Sequence, residues 1–281
     1  GSRCRLAEKT EMDAKILQWV VCPQCAERQW QSVGEAVRCT VCGCRYPVQY
    51  DALNLLPGGP HFLTPAQRTN FTLPVAWGYE DLWRRRSLSL LSGQAFGIER
   101  ELALLDQWMT GAGAGVFLDL ACSHGLYARS LARGAALHRL EREVIALDSS
   151  LLMLQQAAAK IRHANLTTVH LLCAEGESLP LPASSLDGIV CGGSLNEFKV
   201  ADLVVAEAAR VLKRGAPCLS MDLLGSELRW GQRLQGLARQ GGVQFWDTAA
   251  VQAMFARHGL RLAQREQFGI VEFALFKKEG R

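Results

Sequence analysis

Val116-Phe-Leu-Asp119-Leu-Ala121-Cys122-Ser123-His124-Gly125 is an apolar run that ends on an acid and then breaks into small residues. This pattern predicts a short buried strand over 116–120 and a helix over 126–133, joined by a tight turn. Small side chains at 121, 123 and 125 let backbone approach a ligand closely, and the first amides of the helix would face any anionic group held there. The glycines just upstream, Gly111, Gly113 and Gly115, precede the strand instead of following it, so they read as a flexible lead into a sheet.

Working outward, the alternation continues. Strands are predicted over 143–147, 168–173, 188–191 and 218–223, with helices over 151–164 and 201–212 between them. Ser149 or Ser150 would cap the helix that begins at 151. Strands alternating with helices of this length imply an α/β fold: a Rossmann-like, doubly wound and mostly parallel sheet, covered on both faces. Near the end, a helix over 246–258 stops at Gly259, and strands over 260–265 and 269–276 are close enough to form an antiparallel edge hairpin. Asp148 ends the second strand, 23 positions after Gly125, where an acid can accept both ribose hydroxyls of an adenosine group.

Composition sets the outer limits. With 281 residues, 49% of them hydrophobic and 21% charged, the chain has enough apolar surface for a sizeable core and is neither disordered nor collagen-like nor a simple coiled coil. No run approaches the ~20 apolar residues of a membrane span, and no secretion signal is apparent. A soluble, cytoplasmic protein is therefore expected. The net charge of +4 hints at an anionic partner without requiring one.

Six of the ten cysteines (Cys4, Cys22, Cys25, Cys39, Cys42 and Cys44) fall within the first 44 residues. Cys22-Pro-Gln-Cys25 and Cys39-Thr-Val-Cys42 are two short knuckles that can aim four thiolates at one point, as a tetrahedral structural zinc requires. Cys44 stands close enough to replace Cys42 as the fourth ligand. A ribbon this small has too little core to fold unaided, so the metal would supply folding energy directly. No His or carboxylate completes an open, catalytic site. The expected organisation is a zinc ribbon over 17–57, a helical linker or lid region over 64–110, and the α/β domain over 111–281. In the middle region the helical apolar positions are Trp77, Leu82, Leu88, Leu90 and Leu91, followed by Leu102, Leu104, Leu105 and Trp108. The adjacent Arg84, Arg85 and Arg86 read as a solvated helix face before a nucleic-acid contact.

Four further segments complete a set of five motifs. These are Ile145-Ala-Leu-Asp148-Ser149-Ser-Leu-Leu-Met153, Cys173-Ala-Glu175-Gly176-Glu-Ser-Leu179-Pro180, Leu186-Asp187-Gly-Ile-Val-Cys191-Gly192 and Ala206-Glu207-Ala-Ala-Arg210-Val211-Leu212-Lys213-Arg214-Gly215. Together with 116–125 they make 115–225 resemble the class I S-adenosylmethionine-dependent methyltransferases. The first motif departs from the family pattern, carrying Ala121 and Ser123 where glycines are usual.

The resemblance implies S-adenosylmethionine as cofactor and carries roles over residue by residue. Asp119, Ala121, Cys122, Ser123 and Gly125 would form the loop beside its amino-acid group. Asp148 and Ser149 would meet the ribose, and Met153 would pack near the adenine. Glu175 would accept from the exocyclic amine beside the Gly176 amide, and Cys191 and Gly192 would border the sulfonium. Cys122 and Cys191 read equally as small apolar core residues. Tyr127, His124, Asn196 and Glu197 are polar groups near the site, and none of them is assigned as a general base.

The motifs are most similar to ubiquinone/menaquinone-type methyltransferases, which implies a small-molecule acceptor, quinone-like, phenolic or a natural product. Trp230, Phe245 and Trp246 would then line an apolar pocket, and 64–109 together with 224–245 would cover it. Two alternatives stand beside this. Bacterial rRNA guanine methyltransferases also place a zinc ribbon before this fold, which makes RNA a possible partner, although a charge of +4 without a dense basic strip suits a phosphate footprint poorly. A non-catalytic S-adenosylmethionine-binding or partner-binding module is the other.

Overall fold

A computed structural model describes residues 14–69 and 96–280. Cys4, the apolar positions Trp77 to Leu91 and the three adjacent arginines lie outside the described residues. The strands are β1 (Trp30–Val33), β2 (Ala36–Cys39), β3 (Arg45–Gln49), β4 (Ala52–Asn54), β5 (Gly115–Leu120), β6 (Arg142–Asp148), β7 (Val169–Cys173), β8 (Gly188–Gly192), β9 (Pro217–Leu223), β10 (Leu260–Phe268) and β11 (Val271–Lys278). The helices of the described residues are α1 (Pro65–Thr69), α2 (Ile98–Thr110), α3 (Leu126–Leu137), α4 (Leu151–His163), α5 (Ala201–Val211), α6 (Arg229–Gln240) and α7 (Thr248–Arg257).

All eleven strands form one sheet, ordered β1-β2-β3-β4-β7-β6-β5-β8-β9-β11-β10. From β4 to β9 every neighbouring pair is parallel. After β1 to β4 at one edge, the chain enters the centre on β5, winds outward through β6 and β7, then returns to β8 and β9 on the other side. This doubly wound order leaves a crevice at the carboxyl ends of β5 and its neighbours. The edge hairpin forms as expected, with β11 inserted between β9 and β10 and antiparallel to both.

Local chemistry accounts for most boundaries. Ser150 caps α4, accepting from the Met153 amide at 3.4 Å, so it supplies the cap and Ser149 does not. Asp247 caps α7 through the Ala250 amide, which starts that helix two residues later than the apolar pattern suggests. Helix α6 was not expected, because its large apolar residues do not face the core. The sheet is buried on both faces: Leu118, Ile145 and Ile189 pack on one side, and Phe117, Val144 and Val190 on the other.

At the opposite edge, β1 to β3 form the small antiparallel ribbon. Strand β4 then pairs in parallel with β7, aligning Ala52, Leu53 and Asn54 with Leu171, Leu172 and Cys173. The ribbon is therefore sewn into the main sheet. Further contacts fasten it: the Val21 amide donates to the Pro180 carbonyl at 2.9 Å, the Trp19 ring lies 5.1 Å from His170, and Lys15 pairs with Glu143. Among the described residues no helix is long and apolar enough to cross a membrane.

Candidate functional site

A cleft lies at the carboxyl ends of β5 to β8. Its walls are Ala121 and Ser123 after β5, Asp148 to Ser150 after β6, Met153 on α4, Ala174 to Glu177 after β7, and Ser194, Glu197 and Phe198 after β8. Phe62 and Gln67 close it from above. They belong to a strap, 58–68, that leaves β4 and runs across the opening.

Asp148 joins two turns. Its Oδ2 accepts from the Ser123 amide and its Oδ1 from the Ser150 amide, each at 2.8 Å. Burial raises its pKa, while the amides of Ser150, Ser123 and Ser149 pull it back. The carboxylate thus faces the 119–125 turn. In that turn Ala121 and Ser123 take φ of 56° and 50°, a left-handed conformation that favours glycine. Ser123 also donates through Oγ to the Met153 sulfur at 3.6 Å.

Several expected residues lie beneath the cleft and do not line it. Asp119 is buried, and its Oδ2 accepts from the Ala128 amide at 2.7 Å, which braces the first turn of α3. Gly125 begins that helix at φ 69°. Cys122 and Cys191 are buried thiols whose pKa burial pushes far above the ordinary value, so both stay neutral and inert. A Cβ on Gly192 would stand 2.7 Å from the Tyr127 ring, so the packing of that ring accounts for the glycine.

After β7 the structure changes the picture most. Glu175 lines the cleft, and both of its carboxylate oxygens are engaged by the strap. Its Oε1 accepts from the His61 amide and, at 2.8 Å, from the Phe62 amide, and its Oε2 lies 3.0 Å from His61 Nδ1. This carboxylate holds the strap. Gly176 lines the cleft, and a Cβ there would meet the Phe198 ring at 2.9 Å.

Sequence reasoning missed Glu177. It is buried, its Oε1 has no hydrogen-bond partner, and it lines the cleft. Burial, with the nearby Glu175 charge adding to it, raises its pKa to about 7. A second acid two positions after Glu175 in a buried post-strand segment is the available signal.

The other polar groups have structural duties. Asn196 is buried, donating to the Leu223 and Gln244 carbonyls at 2.8 and 2.6 Å and accepting from the Leu223 amide at 2.8 Å. Tyr127 donates to Glu101 at 2.6 Å beneath the floor. His124 is buried, and Glu197 lines the cleft. Trp230, Phe245 and Trp246 do not line it, and Trp230 is 63% exposed on α6. The expected aromatic pocket from these three is therefore corrected, and Phe62 and Phe198 supply the apolar wall.

In the ribbon, the sulfurs of Cys22, Cys25, Cys39 and Cys42 all lie within 4.8 Å of one another. Cys22 and Cys42 approach to 3.6 Å, as do Cys25 and Cys39. A tetrahedron with metal–sulfur bonds of about 2.3 Å has edges of about 3.8 Å, so this cluster could hold a metal ion. The Tyr46 hydroxyl lies 3.3 Å from the Cys22 sulfur. Cys44 is not part of the cluster.

An open parallel sheet with a cleft at its switch point defines a Rossmann-like α/β protein. Residues 118–219 match the methyltransferase domain family. An uncharacterized chloroplastic methyltransferase of Arabidopsis thaliana is 29% identical over 151 residues, covering 50% of this chain and 39% of that protein. A ubiquinone/menaquinone biosynthesis C-methyltransferase of Syntrophotalea carbinolica is 35% identical over 129 residues, covering 46% of this chain and 52% of that protein. The chain thus spans about half or less of the length of these relatives. The solved phosphoethanolamine N-methyltransferase 2 of Haemonchus contortus shares the fold, with a TM-score of 0.59 and 13% identity over 77% of this chain and 59% of that one.

Proposed function

We propose that this protein transfers a methyl group from S-adenosylmethionine to a small-molecule acceptor of quinone-like or phenolic character. The observation that carries the proposal is the Asp148 carboxylate, set at the mouth of the sheet and facing the 119–125 turn. The carboxylate already accepts from backbone amides of the two turns it joins, and with about four acceptor sites it keeps capacity for a ribose hydroxyl. Ala121 and Ser123 would flank the amino-acid group, Met153 would pack on the adenine and the Gly176 amide would meet the ring edge. Glu177, with its unpartnered buried oxygen, is a further group able to receive a polar hydrogen from a ligand.

When bound, S-adenosylmethionine supplies a methyl group already activated by its sulfonium. The protein's task is then to align an acceptor and exclude water. Phe62 and Phe198 give the cleft an apolar wall suited to a ring, and Glu175 holds the strap that carries Phe62 over the opening. The likeness to the quinone-biosynthesis enzyme supports this acceptor class. We further propose that Cys22, Cys25, Cys39 and Cys42 hold a structural zinc.

Calorimetric titration with S-adenosylmethionine should show binding that Asp148→Ala weakens about a hundredfold, the loss of two charge-assisted hydrogen bonds. Transfer of a labelled methyl group should mark the small-molecule fraction of an extract. Label confined to RNA would move the assignment to the rRNA alternative, and binding without any transfer to the non-catalytic one.

A further inference from the structure

Helix α6 (Arg229–Gln240) is built inside out. Trp230, Leu234 and Leu237, spaced i, i+4 and i+7, form one stripe and are 63%, 57% and 65% exposed, and Leu228 just before them is 58% exposed. The side that faces the protein is Gly231 and the polar Gln235, whose amide group accepts from the Ser226 amide at 2.8 Å and donates to the Leu224 carbonyl at 2.9 Å. Among the described residues the apolar stripe is therefore not part of any core the helix helps to build. Arg229 and Arg233 flank the stripe on the side away from the protein and Arg239 follows, all exposed, with no acid between 229 and 240.

We propose that α6 is an interfacial helix that seats this protein on an anionic lipid surface. A leucine and tryptophan stripe bordered by arginines, with Arg229, Arg233 and Arg239 against the single exposed carboxylate of Glu227, matches the boundary layer of a bilayer: the apolar side chains enter the acyl region and the guanidinium groups meet lipid phosphates. The area disfavours a second copy of the chain. Four side chains on a helix of about 18 Å offer roughly a few hundred Å², short of the ~800 Å² per partner of a stable dimer.

The helix is also well placed for such a role. At its end a Cβ on Gly242 would lie 2.8 Å from Thr64, whose hydroxyl donates to the Glu197 carbonyl at 3.3 Å, and Gln244 donates to the Phe198 carbonyl at 2.9 Å. Glu197 and Phe198 line the cleft, so the loop that follows α6 borders its rim. A ring carried on a lipid-soluble tail could pass from the bilayer to the cleft along this edge; that last step rests on the proposed acceptor class, whereas the surface binding does not.

The test is flotation of the whole chain with phosphatidylcholine vesicles, with and without about a quarter phosphatidylglycerol. It reads surface binding without any methyl transfer, so its outcome is independent of the enzymatic proposal. The chain should float with anionic vesicles at least about tenfold better than with neutral ones, and about 0.5 M salt should reduce the difference. Joint substitution of Trp230→Ser, Leu234→Gln and Leu237→Gln should abolish flotation with an unchanged thermal midpoint, since these side chains are exposed. Arg229→Gln with Arg233→Gln should lower binding about tenfold and gives an independent reading. Absence of flotation with either vesicle, undiminished flotation of the triple variant, or a wild-type dimer in sedimentation equilibrium that the triple variant dissolves would each overturn the proposal.

Discussion

The two edges of the sheet are held by different physics. At the far edge, β9 and the β10–β11 hairpin are secured by ordinary apolar packing, including the Phe255 and Phe276 rings stacked at 3.9 Å. At the near edge, β1 to β3 enclose little besides Val37, Cys39 and Tyr46, and four sulfurs converge at their base. The hairpin edge is stable because it buries surface. The ribbon edge has little surface to bury, and the zinc proposed at its four cysteines would supply the missing stability. Yet it is the weaker edge that reaches the cleft, because β4 leads directly into the strap that Glu175 fastens across the opening.

The contrast can be broken most directly at the ribbon. Cys25→Ser should lose the proposed zinc and cost on the order of several kcal/mol in ribbon stability. Through β4 and the strap it should also weaken S-adenosylmethionine binding. Metal content by mass spectrometry and calorimetric affinity check both effects. Metal loss with unchanged affinity would show that the two edges are uncoupled.

A smaller effect sharpens the cleft side. Glu177 has its folded pKa raised to about 7 from 4.5, so its neutral form suits the folded state. Its contribution is complete below pH 4.5 and is lost as pH rises to about 7. The full shift would be worth about 3 kcal/mol, which is discounted to about 1–2 kcal/mol because the group lines an open cleft. Glu177→Gln should therefore unfold at a higher temperature than wild type at pH 8, with the two curves converging near pH 4. Parallel curves across that range would remove Glu177 from the list of buried acids.

The smallest expected effect lies in the turn itself. Ala121 at φ 56° is an L-residue in a glycine-like conformation. Ala121→Gly should relieve that strain and, after glycine's greater chain entropy, stabilise the protein by about 0.5–1 kcal/mol in denaturant unfolding. A loss of stability would mean that the Ala121 methyl packs productively.

Legibility followed the range of the interaction. The parallel strands, the edge hairpin and the paired knuckles could be read because each depends on neighbours a few residues apart or on a repeating pattern. Side-chain partners could not. Glu175 is claimed by amides 113 and 114 residues away, Asn196 by carbonyls 27 and 48 away, and Gly192 is dictated by the ring of Tyr127. Trp230 was placed in a pocket because apolar aromatics usually are buried; only the packing of Gly231 and Gln235 against the body of the protein turns it outward.

By itself, the sequence determined the order of elements, the alternation that makes a doubly wound sheet, and the paired cysteine knuckles, since periodicity and spacing are local properties of the chain; that Cys42 and not Cys44 joins the cluster was settled by the fold. Tertiary structure alone decided that the ribbon continues into that sheet through β4, that a strap crosses the cleft, and which carboxylates face it. Those outcomes depend on which distant backbone amides reach a side chain first, and no spacing along the chain encodes that.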